Sequence, residues 1–95
     1  MNATMEDYCY KLINKVLFAN SQDEVKRYID AAIKSMQTHN INGHIIARFV
    51  DKALMHLNQF SPMDFNAVQW INIKMAILQF NQLKRSLNSG NKPAN

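Results

Sequence analysis

The sequence predicts an all-α protein, a small four-helix bundle built of two antiparallel helical hairpins with a long C-terminal helix. With only two glycines and two prolines in 95 residues, the chain lacks the turn residues of an all-β fold. Its apolar fraction of 47 % argues against disorder. Apolar residues recur at three- and four-residue steps over four segments, which predicts helices at about 5–19, 22–38, 44–59 and 62–87. We expect these helices to form a single domain over residues 1–88.

The first two helices each begin with a capping box. Thr4 is followed three residues later by Asp7, and Ser21 by Glu24. Helix one has an apolar face of Met5, Tyr8, Cys9, Leu12, Val16 and Ala19. Helix two has an apolar face of Val25, Ile29, Ala32, Ile33 and Met36. Because only Asn20 separates the two helices, we expect them to pack as an antiparallel hairpin.

A turn near the middle of the chain separates this hairpin from the next. The stretch 39–43 reads His-Asn-Ile-Asn-Gly and contains residues that tolerate left-handed or turn conformations. The third helix is predicted to bury Ile45, Ile46, Phe49, Val50, Ala53, Leu54 and Leu57. Its link to the fourth helix is equally short, which predicts a second antiparallel hairpin.

The start of the fourth helix carries several signals at once. Ser61 is placed to cap the helix, Asp64 to complete a capping box, and Pro62 to occupy the first helical position. Phe60 and Phe65 occupy the two positions of a hydrophobic staple. The helix is therefore predicted to run over 62–87, roughly 39 Å at 1.5 Å per residue. The polar segment 89–95 is predicted to be a flexible tail.

The fourth helix carries two apolar stripes, whereas an ordinary amphipathic helix carries one. The first stripe is Val68, Ile71, Met75 and Leu78, and the second contains Trp70, Ile73, Ile77, Phe80 and Leu87. Either the helix is central and the other three helices cover both stripes, or one stripe meets a second copy or another protein. Under the second interpretation, the predicted protein interface is Trp70, Ile73, Ile77, Phe80, Leu83 and Leu87.

The net charge of +4 raises the alternative of DNA binding. Five of the seven acidic residues fall in predicted first turns, so much of the charge pattern matches helix dipoles. Helices two and three loosely fit a helix-turn-helix, with a possible nucleic-acid contact set of Arg48, Lys52, His56 and Gln59. Asp51 lies close to the same face and counts against this alternative.

Nothing in the sequence indicates catalysis, and we expect no enzyme activity, cofactor, metal or small-molecule ligand. The three histidines form no i, i+4 pair, and no nucleophile elbow or glycine-rich phosphate loop is present. The single Cys9 stands at helical spacing with Leu12 and is expected to pack in the core. No apolar run is long enough to span a bilayer. We therefore expect a cytoplasmic protein-interaction or adaptor module, most simply a homodimer.

Overall fold

The structure, a computed structural model, describes residues 4–90, except for the side chains of 88–90. These residues form the helices α1 (Met5–Leu17), α2 (Gln22–Thr38), α3 (Gly43–Asn58) and α4 (Ala67–Gly90), with a 3₁₀ turn at Pro62–Asp64. Helix α1 packs on α2 and α3 packs on α4, which confirms the predicted bundle of two hairpins. Both α1 and α4 contact all three other helices, whereas α2 and α3 share few contacts.

The predicted starts of α1 and α2 are confirmed. The Thr4 hydroxyl accepts a hydrogen bond from the Asp7 N–H at 3.2 Å, and the Asp7 carboxylate accepts one from the Thr4 N–H at 2.9 Å. The Ser21 hydroxyl accepts from the Glu24 N–H, and Glu24 reaches back to the Asn20 N–H at 2.9 Å. The backbone hydrogen bonds from Thr4 and Asn20 lower the pKa of the Asp7 and Glu24 carboxyls.

The chain reverses after α2, as the sequence predicts. Asn40 adopts a left-handed conformation with φ 59°, and its N–H donates to the carbonyl of Gln37 at 3.1 Å. The N–H of Ile41 donates to the carbonyl of Met36 at 3.0 Å, which completes a Schellman motif. The side chain of Asn42 then caps α3. A left-handed residue therefore ends α2, and an amide cap begins α3.

The predicted start of the fourth helix at residue 62 is wrong. Ser61 begins only the 3₁₀ turn, because Phe65 is extended with φ −135° and ψ 153°. The α-helix begins after Asn66, whose side chain accepts from the Gln69 N–H at 2.8 Å while Gln69 accepts from the Asn66 N–H at 3.1 Å. The Asn66–Gln69 capping box marks the start of the α-helix, separate from the 3₁₀ turn before it. The predicted staple contact is present, with the rings of Phe60 and Phe65 5.0 Å apart.

The end of α4 also differs from the prediction. The helix continues through Gly90 and so includes two residues that were predicted to belong to a flexible tail. Residues 91–95 of that tail lie outside the described residues. With 24 residues, α4 is the longest of the four described helices, about 36 Å at 1.5 Å per residue.

All four helices contribute to one core. Phe49 of α3 and Phe80 of α4 are fully buried and meet edge to face, with ring centroids 6.5 Å apart. Two residues predicted to be buried are exposed instead: Tyr8 is 56 % exposed and Ile45 is 44 % exposed. Both lie on the margin of their helix's apolar stripe, where helical spacing alone does not decide burial.

Two amides on α4 are buried and hydrogen bonded. The side chain of Asn72 donates to the carbonyl of Ala19 at 3.0 Å, and the side chain of Gln79 donates to the carboxylate of Asp30 at 2.9 Å. Asn72 is 1 % exposed and Gln79 is 8 % exposed. Because a buried polar group without a partner is costly, these bonds favour one rotation of α4 against α1 and α2.

Replacing Asn72 by leucine should destabilise the protein. The substitution keeps the branched shape and the number of side-chain heavy atoms but leaves the buried carbonyl of Ala19 without its donor, which costs about 1–3 kcal/mol. The free energy of unfolding, measured by urea titration with circular dichroism, should fall by that amount. Asn81→Leu at an exposed position of α4 is the matched control and should change it by less than about 0.5 kcal/mol. Equal urea midpoints for the two variants would show that the Asn72 bond contributes nothing.

Cys9 packs in the core, as the sequence predicts. It is 0 % exposed, and its thiol donates weakly to the carbonyl of Phe49 at 3.9 Å. Burial raises the pKa of the Cys9 thiol to about 11. The thiol is therefore protonated and shielded near neutral pH, which are the properties of an inert structural cysteine.

The native protein should react slowly with the thiol reagent DTNB at pH 8. Reaction requires a local or global opening of the core, so its rate should be at least about a hundredfold below that of the chain unfolded in guanidinium. An exposed thiol introduced as Ser86→Cys in a Cys9→Ala chain should react immediately without denaturant. Immediate reaction of the native wild-type protein would contradict the burial of Cys9.

Candidate interaction surfaces

The residues predicted as a protein interface lie on the inner side of α4. Ile73 and Phe80 are 0 % exposed and belong to the chain's own core. The other four are partly buried and pack against that core: Trp70, Ile77, Leu83 and Leu87. The stripe that was assigned to a partner is thus the stripe that faces the other helices, and this placement corrects the assignment of the two faces.

The opposite stripe is the one that remains exposed. Val68 is 56 % exposed, Ile71 45 % and Leu78 52 %, whereas Met75 between them is half-buried. We call these four residues the outer face of α4. Their spacing of three, four and three residues corresponds to the a and d positions of two heptads, the pattern of a helix that pairs with another helix. Single exposed apolar residues are ordinary, but such a continuous seam is not.

Two further exposed apolar side chains lie at the N-terminal end of α4. Met63, in the 3₁₀ turn, is 92 % exposed. Phe18 is 74 % exposed and precedes Ala19, whose carbonyl is bonded to Asn72 in the second turn of α4. Met63 therefore adds exposed apolar surface just before α4, and Phe18 adds it at the end of α1.

The predicted nucleic-acid set does not form one free basic face. Arg48 and Gln59 are exposed. Lys52, however, lies 3.6 Å from the carboxylate of Glu6 on α1. The His56 ring is turned toward the same helix: its Nε2 is buried 3.7 Å from Glu6, beyond hydrogen-bond length, and its centroid is 5.0 Å from that of Tyr10. Two of the four predicted contacts thus serve the packing of α1 on α3.

The helix-turn-helix interpretation meets a second difficulty. In that motif the two helices pack against each other across a short turn. Here α2 and α3 share few contacts, and each packs instead on α1 and α4. On α3, Asp51 also pairs with Lys84 of α4 at 2.9 Å. These contacts do not favour the helix-turn-helix interpretation.

A groove between α1 and α2 has a volume of about 580 Å³. Its lining comes from α1, α2, the turn after α2, and Phe49 of α3. Sequence reasoning missed this site and predicted no small-molecule ligand. The signal that was present is the i, i+4 pair of Lys11 and Lys15, which flanks the apolar Leu12. The sequence alone does not show that α2 runs beside this pair and forms a groove with α1.

Within residues 4–90, neither a metal-ion site nor a membrane-spanning helix is found. No group of three or more histidine, cysteine, aspartate or glutamate side chains there could hold a metal ion. None of the helices in this range combines the length and the apolar character needed to cross a bilayer. The outer face of α4 and the groove are therefore the two surfaces that call for an explanation.

Alanine substitutions should distinguish the inner from the outer stripe of α4. Phe80→Ala removes a fully buried ring and should lower the free energy of unfolding by about 3–5 kcal/mol. Ile71→Ala, on the outer face, should change the stability of the monomer by less than about 1 kcal/mol. Both values are measured by chemical denaturation at a low protein concentration. Similar losses at the two positions would mean that both stripes are covered.

Comparison of the chain with protein-family models, with curated proteins and with solved structures gave no match in any of the three. Any inference about its function therefore rests on the surfaces of its own fold.

Proposed function

We propose that this protein is a non-catalytic interaction module that associates with a second copy of itself through the outer face of α4. The exposure of Val68, Ile71 and Leu78 on one helix is the observation that supports this proposal. Covering exposed apolar side chains with another apolar surface lowers the free energy. A cytoplasmic location is part of the same proposal.

An antiparallel pairing of two α4 helices suits this face best. A two-fold axis between residues 74 and 75 places Ile71 opposite Leu78 of the second copy, and Met75 close to the axis. The same axis brings Arg85 near the beginning of the other α4, which starts at Ala67.

The expected dimer is reversible. Two heptads give a short seam, and interfaces well below about 800 Å² per partner are generally weak or transient. We therefore expect a dissociation constant in roughly the micromolar range or above. Met63, just before α4, would enlarge the contact at the N-terminal end of each α4.

Charge introduced into the seam should abolish the dimer. In the double variant Ile71→Glu with Leu78→Glu, each glutamate faces apolar side chains of the other copy, and each substitution occurs twice in a two-fold interface. The dissociation constant should rise by at least about a hundredfold. Sedimentation velocity over a concentration series measures this change, and circular dichroism verifies that the variant remains folded.

The matched control is Ile45→Glu with Met55→Glu on α3. These side chains are 44 % and 47 % exposed, so the control makes the same change of charge and hydrophobicity away from α4. It should leave the dimer intact. A wild-type chain that stays monomeric up to millimolar concentration would end the proposal, as would equal weakening by the two double variants.

A further inference from the structure

The groove between α1 and α2 results from how the four helices are arranged. Because α2 packs on α1 and α4 but hardly on α3, the side of α2 near its C-terminal end is left without a covering helix. Phe49 of α3, 1 % exposed, lines the groove beneath this opening. A volume of about 580 Å³ is within the range of roughly 300–1,000 Å³ typical of ligand pockets.

The lining combines an apolar floor with a cationic rim. Leu12, Ala32, Met36 and Phe49 provide apolar surface. Lys11 and Lys15 lie one turn apart on α1 and are exposed. Of the side chains that line the groove, none is acidic. This combination favours a ligand with an apolar body and a negatively charged end.

The two rim lysines are available for such a ligand. The lysine ion pairs found among the described residues use Lys52 and Lys84, and neither Lys11 nor Lys15 takes part in one. The ammonium of Lys15 lies 5.8 Å from the centre of the Tyr28 ring, a cation–π contact that keeps this charge at the rim.

Asp7 and Glu24 accept hydrogen bonds near the starts of α1 and α2. Asp7 is hydrogen bonded to the N–H of Thr4, and Glu24 to the N–H of Asn20. Glu24 also accepts a hydrogen bond from the Tyr28 hydroxyl at 3.3 Å. Neither of them lines the groove. Asp7 attracts Lys11 electrostatically from outside the lining, whereas no acidic side chain of the lining itself neutralises the rim.

We propose that this groove binds a single-chain amphiphile with an anionic head group, its apolar tail on the floor and its head between Lys11 and Lys15. From Tyr28 to His39 the groove follows α2 for about 16 Å, which suits an extended acyl chain of medium length. The site is separate from the outer face of α4, so the proposal does not rest on self-association.

Three probes with the same tail test the proposal on the intact chain: dodecanoate, dodecyl phosphate and dodecyltrimethylammonium, each below its micelle-forming concentration. Isothermal titration calorimetry should show saturable one-to-one binding of at least one anion and at least about tenfold weaker binding of the cation. Amide shifts in NMR spectra should concentrate on α1 and α2. The tighter anion identifies the head group. Failure of both anions to bind, or equal binding of the cation, would overturn the proposal.

Charge reversal tests the rim. Lys11→Glu with Lys15→Glu should weaken binding of the preferred anion by about tenfold, a modest factor because both lysines are exposed. Lys26→Glu with Lys34→Glu changes the net charge equally at exposed positions of α2 that do not line the groove, and should leave affinity within about twofold. Equal losses in the two variants would mean that the anion responds only to net charge.

Filling the groove tests the floor. Ala31 lines the groove and is exposed, so Ala31→Trp should occupy the space of the tail and abolish binding without disturbing the core. Gln37→Trp, exposed on α2 and outside the groove, is the matched control and should bind normally. Unchanged binding by a folded Ala31→Trp variant would place the amphiphile elsewhere. If none of the three probes binds and an acidic amphipathic peptide binds in the groove instead, the occupant is a protein partner and the amphiphile proposal is wrong.

Discussion

The packing of α4 against all three other helices is the constraint on which the rest of this structure depends. Ile73, Ala76 and Phe80 on its inner side are fully buried. On the same side, Asn72 and Gln79 are held by partners on the α1–α2 link and on α2. A rotation of α4 that buried its outer face would withdraw both amides from their acceptors. The exposure of the outer face is therefore a consequence of how the inner face is held.

Local signals explain why most helix boundaries could be predicted. The capping box at Thr4 and the Ser21 cap on Glu24 involve residues three positions apart, and the reversal after α2 needs only a residue that accepts a left-handed conformation. The start of α4 failed because two such signals lie within six residues. Ser61 and Pro62 carry the stronger sequence pattern, yet Asn66 and Gln69 form the reciprocal bonds that begin the α-helix. The extended conformation of Phe65 interrupts the helix between the two caps, so the α-helix begins at the second cap.

The sites were less predictable than the helices, because they depend on contacts between distant parts of the chain. Both stripes of α4 have helical spacing, so periodicity could not choose the inner one. The bonds that hold the inner side join residues 53 and 49 positions apart. Likewise, the sequence places Lys52 and His56 on a polar face of α3, and only the fold shows that Glu6 of α1 lies beside them. The groove requires the separation of α2 from α3, which no local pattern encodes.

The two candidate surfaces arise from the same arrangement of helices. With α1 and α4 each touching every other helix, and α2 apart from α3, the bundle leaves an outward side on each of its two central helices. The groove lies beside α1, the apolar seam lies on α4, and they share no residue. Helix α2 joins them, since Tyr28 lines the groove while Asp30, two residues on, holds Gln79 of α4. Because the groove draws no lining from α4, an amphiphile on α1 and α2 would leave the seam open to a second copy.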